Sequence, residues 1–559
     1  MPQNQGEKGH IQLADSEKGK LCSVLAGNTA KIALFIIIVC AALIRIGYLI
    51  QLQDDPLPQY TAKDPAFDAY RYVGLAKEIK DINWLGLEVT HYSAAYSYII
   101  AVLFVIFGTN LNVIFLFQII LALFACYVIY KCCVLLFNGK GIGILAAFIT
   151  AFCGTLVFYE CSVSRDLPIA YSNLFTFYFL LMAIKQERRK VLNVVMAGLF
   201  LGVSMLLRPN VLILFIIPYL YLGVKEARKE RLLRILLLLF TITLVLAPLQ
   251  VRNLIVGGQV QIESQGSMNF WLGNTYKSPG VGFFGQSALS AALTKESKNS
   301  MLKTVAIFAR EVKNHPREYR QLYLRKIKMF FNGYESPSNL SFDLTRQLHW
   351  VLRFLIFDVT VIFPLALLGI ILTFRKYAHL GLLYIFLFVL SFSVILFSVM
   401  GYYRVVVLPF FIIFAAYTLH WLFCLLRQRR IAVFCCATMI LTALFVYTLP
   451  DNKIIRDYYG TRIRSIDYGN LGAAYLDDFV TNYKTLGLRK GSVLLQKSVD
   501  VYRKAAQLAP NLYLKDLGIA YYFSGRNEDA KRCFTQFLDL KPDSGNANIA
   551  KYYLGLLKK

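Results

Sequence analysis

Leu111–Phe137, LNVIFLFQIILALFACYVIYKCCVLLF, decides the class of this protein. Its only charged residue is Lys131, and it is longer than the roughly 20 apolar residues that carry a helix across a bilayer. In lipid a helix is the natural state of such a run, because it satisfies every backbone N–H and C=O internally. Similar apolar runs recur at Lys31–Ile50, Leu232–Leu249, Leu380–Met400 and Ile431–Leu449. The chain is 57% hydrophobic with a mean hydropathy of +0.52, beyond the usage of water-soluble domains. The expected fold class is all-α: a polytopic membrane helical bundle.

The net charge of +27 would suit nucleic acid if it formed one soluble face. Instead it is broken into short blocks between apolar runs, at Lys185–Lys190 (KQERRK), Lys225–Arg234, Arg375–Lys376 and Arg427–Arg430 (RQRR). Such blocks are the cytoplasmic anchors of membrane helices, so no nucleic-acid partner is expected and the lipid bilayer is. Of the 11 cysteines, most fall in or beside apolar runs, where a thiol acts as a small hydrophobe. Met1–Thr29 is polar, and the first apolar run carries no cleavage signature, so it reads as a retained anchor.

Charge and parity set the topology. The run 96–108 is too short for a confident span. If it does not cross, all the basic blocks fall on the inner side. This predicts helices near 31–50, 111–137, 142–158, 166–184, 191–207, 211–224, 232–249, 351–373, 380–400, 405–425 and 431–449. The expected organisation is a cytoplasmic tail over 1–30, a membrane module over 31–450 with external loops 51–95 and 250–350, and an external C-terminal domain over 451–559. The expected location is the cytoplasmic membrane, with the N-terminus inside and the C-terminus outside. The polar clusters at 51–95, 160–166, 208–210 and 402–404 then converge on the external face, which points to one site there.

After Pro450 the pattern changes. Leu517, Gly518, Tyr521, Ala530, Phe534 and Pro542 stand at the offsets of a 34-residue tetratricopeptide repeat. A weaker preceding copy ends with Tyr502, Ala505 and Pro510, and a truncated first helix follows at Asn546–Leu557. Stacked helix pairs of this kind often present a peptide-binding groove, and a cap or dimer contact is the plainer use.

Most acids of the first loop read as solvated. Asp68 is set apart by its company, because in DAYRYVGLA (Asp68–Ala76) the acid, Tyr72 and Ala76 recur every four residues on one helical face. The acid would open that helix, where the dipole favours a carboxylate. Glu160 and Asp166 stand six residues apart at a helix junction, with helix capping as the plain account. Arg208, Arg252 and Arg404 each lie next to a membrane helix end, a costly place for a cation without an anionic partner. Snorkelling to headgroups is the competing reading. Asn253, Asn269 and Asn274 are able to bond sugar hydroxyls, although turn chemistry beside Gly257-Gly258 and Gly273 explains them nearly as well. His91 reads as an interfacial histidine. Ser300–Lys313 and Arg317–Phe331 read as amphipathic helices of a cover or surface spacer.

Together with NWLGLEV (Asn83–Val89), FYECSVSRD (Phe158–Asp166), LLRPN (Leu206–Asn210), APLQVRNLIVGG (Ala247–Gly258), NFWLGN (Asn269–Asn274), RKIKMFFNGYESPSN (Arg325–Asn339) and YYRVVVLP (Tyr402–Pro409), the DAYRYVGLA stretch resembles the GT-C class of lipid-dependent membrane glycosyltransferases. The likeness is to bacterial relatives of the dolichyl-phosphate-mannose protein mannosyltransferases (glycosyltransferase family 39) and of the aminoarabinose transferase. It covers most of residues 30–450. Where that family usually has a proline-rich stretch, Ser93–Tyr96 reads SAAY.

The resemblance implies an inverting transferase that passes a hexosyl group from a polyprenyl-phosphate donor to a hydroxyl outside the membrane. It also implies that Asp68 is the catalytic base or a metal-side carboxylate. The chemistry needs a carboxylate for the acceptor hydroxyl and cations for the phosphate. The expected roles are therefore Asp68, Glu160 and Asp166 in catalysis, with the same three as ligands should a divalent ion take part. Arg208, Arg252 and Arg404 are expected on the donor phosphate, and Tyr72, Asn253, Asn269 and Asn274 on sugar or acceptor. By analogy with eukaryotic enzymes of the same domain pairing, the repeats imply a protein acceptor or partner. The alternatives are a transferase acting on glycolipid or envelope polysaccharide, and a non-catalytic scaffold that uses its repeats. A transporter is disfavoured, because no broken helix pair recurs in two halves.

Overall fold

The computed structural model describes residues 6–89, 93–185, 189–209, 212–222, 226–258, 266–280, 296–297, 300–337, 339–374, 380–482 and 488–558. It is helical throughout, and its one β-bridge among those residues joins Cys153 to Phe357. Among the described residues seven helices are long and apolar enough to cross a membrane: Asn28–Asp54, Leu111–Phe137, Asp166–Lys185, Lys190–Leu207, Arg228–Gly257, Leu408–Arg427 and Ile431–Tyr459. Each covers one of the eleven expected crossings, and the other four fall on shorter or divided helices.

The expected helix 142–158 is two, Lys140–Ala151 and Gly154–Glu160. The backbone leaves the helix between them so that Gly154 N–H donates to Phe357 C=O at 2.7 Å. The expected helix 351–373 divides into Trp350–Phe354 and Val359–Thr373, because the Asp358 carboxylate caps a new start by accepting from Thr360 N–H. Gly381–Leu396 is shorter than expected, and Leu212–Leu222 covers all the described residues of the expected 211–224. Ala95–Phe107 is a 13-residue apolar helix, in keeping with the short run expected there. The first helix runs unbroken over Gly6–Gln51, so no break marks the expected end of the tail at residue 30. Met301–Asn314 and Pro316–Phe330 are helices of the long loop, as the amphipathic pattern predicts.

Asp166–Lys185 is the central helix, with 78% of its apolar window buried, while Ile431–Tyr459 has 11% buried and faces outward. Small residues bring neighbours close. A Cβ on Gly198 would lie 2.8 Å from Thr241 Cβ, and one on Gly202 would lie 2.8 Å from Val245 Cβ. This GxxxG face seats Lys190–Leu207 on Arg228–Gly257.

The connections fix where the ends of the bundle lie. The described residues of the basic blocks, Lys185, Arg189–Lys190, Arg228–Arg234 and Arg427–Arg430, sit at the ends of helices towards whose opposite ends Asp166, Arg208, Arg252 and Leu408 lie. These four therefore gather at one end of the bundle and the basic blocks at the other. The block Arg375–Lys376 lies outside the described residues.

Beyond the last apolar helix, Ser465–Asn482 packs on Leu488–Leu508, and Pro510–Phe523 on Asn527–Asp539, before the final Ser544–Leu556. A Cβ on Gly518 would come within 2.7 Å of the Phe534 ring, and one on Gly472 within 2.9 Å of the Tyr502 ring. The two pairs thus share a contact of glycine under aromatic. Residues 483–487, between the first two of these helices, lie outside the described residues.

Candidate active site

Phe67, with extended backbone, precedes the helix Asp68–Asp81, so Asp68 occupies its first turn, where the helix dipole favours a carboxylate. One turn on, Tyr72 is buried with its ring edge-on to Tyr96 at 5.1 Å, and Ala76 is fully enclosed. The face predicted from the four-residue spacing therefore points inward. Asn339 Nδ2 donates to Asp68 Oδ2 at 3.0 Å.

Asp68 lines a cavity of about 180 Å³ together with Tyr72, Asp166, Arg208 and Asn269. These five of the ten expected site residues come from well-separated parts of the chain and meet there. Asp166 opens the central helix and its carboxylate lies 2.5 Å from Arg208 Nη2, just past the end of Lys190–Leu207. Ser164 Oγ donates to the other oxygen of Asp166 at 2.8 Å, and the Arg208 guanidinium covers the Tyr403 ring at 4.5 Å. Burial works most strongly against the charge on Arg208, but Asp166 together with Tyr403 and Tyr402 outweighs it and the pKa rises. The cavity also holds Arg165, Tyr402, Tyr403 and Asn339. Arg165 Nη1 donates to Leu207 C=O at 2.7 Å. The Tyr402 hydroxyl is pushed well above its usual range by burial, with Tyr403 and Asp68 adding to the shift.

The other five expected residues are placed elsewhere, each held by partners of its own. Glu160 is fully buried against Arg45, with Nε to Oε2 at 2.6 Å, and also accepts from Tyr171 at 2.8 Å. Arg252 donates to the Leu85 and Glu88 carbonyls at 2.6 and 2.9 Å and to Asn253 Oδ1 at 2.9 Å. It thereby fastens the NWLGLEV loop rather than facing the cavity, and it engages Asn253 in doing so. Arg404 pairs with Glu335 at 3.0 Å and bonds the Tyr334 carbonyl at 2.7 Å. Asn274 donates to Phe270 and Leu396 carbonyls at 2.7 and 2.6 Å, and accepts from Tyr323 and Lys326 at 2.7 and 3.0 Å, which leaves it no capacity for a sugar hydroxyl. His91 lies outside the described residues.

Among the described residues no group of three His, Cys, Asp or Glu side chains is placed to hold a metal ion. Of the three carboxylates expected to share one, Asp68 and Asp166 line the same cavity, Asp166 paired with Arg208, whereas Glu160 is paired with Arg45 outside that lining.

The cavity residues that were not singled out lie inside quoted motifs: Arg165 in FYECSVSRD, Asn339 at the end of the GYESPSN stretch, and Tyr402 and Tyr403 beside the Arg404 chosen instead. Helix phase was the missing signal. In the short turn Gly401–Val405 the tyrosines face the cavity and the arginine faces the loop of residues 330–335.

Residues 93–251 match the family model described as dolichyl-phosphate-mannose-protein mannosyltransferase. Over that segment the chain, a multi-pass membrane protein, is similar to that family. The family takes its sugar from a lipid-phosphate carrier. The matched segment contains Arg165, Asp166 and Arg208, whereas Asp68, Asn339 and the tyrosine pair lie outside it. No curated protein matches the chain.

Proposed function

We propose that the protein transfers a sugar from a polyprenyl-phosphate donor to an acceptor hydroxyl in the cavity that Asp68 and Arg208 share. The observation carrying this reading is that shared cavity, which unites a carboxylate with a cation ion-paired at its edge. The acceptor hydroxyl gives its proton to Asp68 as its oxygen forms a bond to the sugar anomeric carbon. The bond from that carbon to the phosphate oxygen breaks, and the phosphate leaves with its charge met by Arg208 and Arg165. The anomeric configuration inverts, as the resemblance implies. Asp166 holds Arg208 in place, and Tyr72 and Asn269 face the sugar or the acceptor. In this reading Arg252, Arg404, Asn253 and Asn274 shape the surrounding loops, and Glu160 supports the bundle.

The cavity end is external in this reading, because the basic blocks at the opposite end of the bundle mark the cytoplasmic side. The C-terminal helices are tetratricopeptide-like pairs, which the repeated glycine-under-aromatic contact supports. They favour a protein acceptor over a glycolipid or polysaccharide. The test uses the purified chain in lipid nanodiscs with a labelled polyprenyl-phosphate sugar, offering a Ser/Thr peptide in one arm and a glycolipid in the other. Label on the peptide that is lost in Asp68→Asn supports the reading. Label on the glycolipid alone moves the acceptor, and no transfer in either arm, with an unchanged envelope-glycan profile in cells lacking the gene, favours the scaffold alternative.

A further inference from the structure

The C-terminal helices do not hang free of the cavity. Leu57 and Leu344 pack with Ile463, Leu471, Ala474 and Tyr475 in one buried cluster. Leu340 touches that cluster and also lines the cavity. Lys63, five residues before Asp68, pairs with Asp477 at 3.0 Å. Tyr334 donates its hydroxyl to the Arg462 carbonyl at 3.0 Å, Ser336 bonds the Tyr459 hydroxyl, and Arg462 pairs with Asp343 at 2.8 Å. The opposite edge of the same segment meets the tyrosine turn, where Gly401 N–H donates to Ser336 C=O at 3.0 Å and Arg404 pairs with Glu335 at 3.0 Å. Residues 334–337 and 339–344 are thus held between the turn carrying Tyr402 and Tyr403 on one side and, on the other, the end of the last apolar helix at Tyr459, the linker with Arg462 and the C-terminal helices, and they deliver Asn339 to Asp68.

We propose that the C-terminal helical unit is a clamp on the transfer site. Together with Tyr459 and the linker that joins it to the last apolar helix, the unit holds residues 57–64, 334–337 and 339–344 and so sets the Asp68 carboxylate through Asn339, with Tyr459, Arg462 and Asn339 acting as positioning residues. The proposal rests on the reading of Asp68 as the base. Arg208 and Asp166 are anchored on membrane helices instead, so loosening the clamp disturbs the acceptor side more than the donor side. Small displacements of a reacting group cost large factors in rate.

The experiment compares the full chain in nanodiscs with Tyr459→Phe, Arg462→Ala and Arg462→Lys. Tyr459→Phe removes one hydroxyl and leaves the fold intact. Hydrogen exchange is followed at 57–68 and 334–344, and transfer is resolved into kcat and donor KM. The expected result is faster exchange in those two segments in Tyr459→Phe and Arg462→Ala, with the membrane helices before Ile431 unaffected. In Arg462→Ala, kcat falls about tenfold at a donor KM within about twofold of wild type, and Arg462→Lys recovers most of the loss. Unchanged exchange, or faster exchange with unchanged kcat, overturns the proposal. Should the wild-type chain transfer nothing, the catalytic reading fails on its own, and exchange at 57–68 still decides whether the clamp exists.

Discussion

Arg208 Nη2 lies 2.5 Å from Asp166 Oδ1, across two neighbouring membrane helices, while the same guanidinium covers the ring of Tyr403. An arginine so placed is fixed in direction before any anion arrives. It has five donors, and the Asp166 bond leaves others able to meet a phosphate. Arg208→Lys keeps the charge but loses the planar fork and the ring contact. The donor KM in that variant is expected to rise about tenfold, equivalent to about 1.4 kcal/mol, with little change in melting temperature. A KM that stays at the wild-type value would remove Arg208 from the donor site.

Asp68 meets Asn339 across 3.0 Å, and replacing the acid by its amide preserves its size. Asp68→Asn is expected to lower kcat by about 10²- to 10⁴-fold, the usual contribution of a general base, while donor binding measured by titration stays as it was. Transfer at more than half the wild-type rate would put the base elsewhere.

The Arg45–Glu160 pair carries a different expectation, because neither side chain has any exposure. Removing one partner of a buried ion pair strands the other charge, at a cost of about 3 to 5 kcal/mol. Glu160→Ala should therefore lower the melting temperature sharply, and pairing it with Arg45→Met should recover most of the loss. A catalytic Glu160 would behave otherwise, losing activity at full stability.

How much of this was legible in the sequence follows from what each signal measures. Apolar length is a local property, and it found every one of the seven long helices. It overran at 152–153 and 355–358, where a tertiary backbone pairing and an aspartate cap end helices inside apolar sequence. The four-residue spacing singled out Asp68, and residue type and proximity to a helix end singled out Asp166 and Arg208; all three line the cavity. The same rule also picked Arg252 and Arg404, whose partners are backbone carbonyls and Glu335 rather than a ligand. Which anion or carbonyl satisfies an arginine is a tertiary fact that spacing does not contain. In the C-terminal region the first helix of the weaker pair went unread, because its Leu471, Gly472 and Tyr475 stand 30 or so residues before Tyr502, outside the usual period.

Lys326 gives a prediction that depends on pH. It is fully enclosed, and its ammonium donates to Asn274 Oδ1, Leu396 C=O and Phe397 C=O at 3.0, 3.3 and 2.9 Å, which ties the Pro316–Phe330 helix to two others. Burial, helped by Arg325, pulls its pKa down to about 7, even though three oxygen acceptors favour the charged form. The unfolded chain holds this proton up to about pH 10.4. Between those limits the unfolded state binds more protons than the folded one, so stability rises with pH through that window and is flat below it. Between pH 7 and pH 9 the group alone should add about 2 kcal/mol. Lys326→Met loses the three hydrogen bonds at every pH but carries no titration. The difference in unfolding free energy between wild type and Lys326→Met should therefore move in favour of wild type as pH is raised from 7 to 9. A difference that stays constant across that range would mean that the three oxygens hold the ammonium charged throughout.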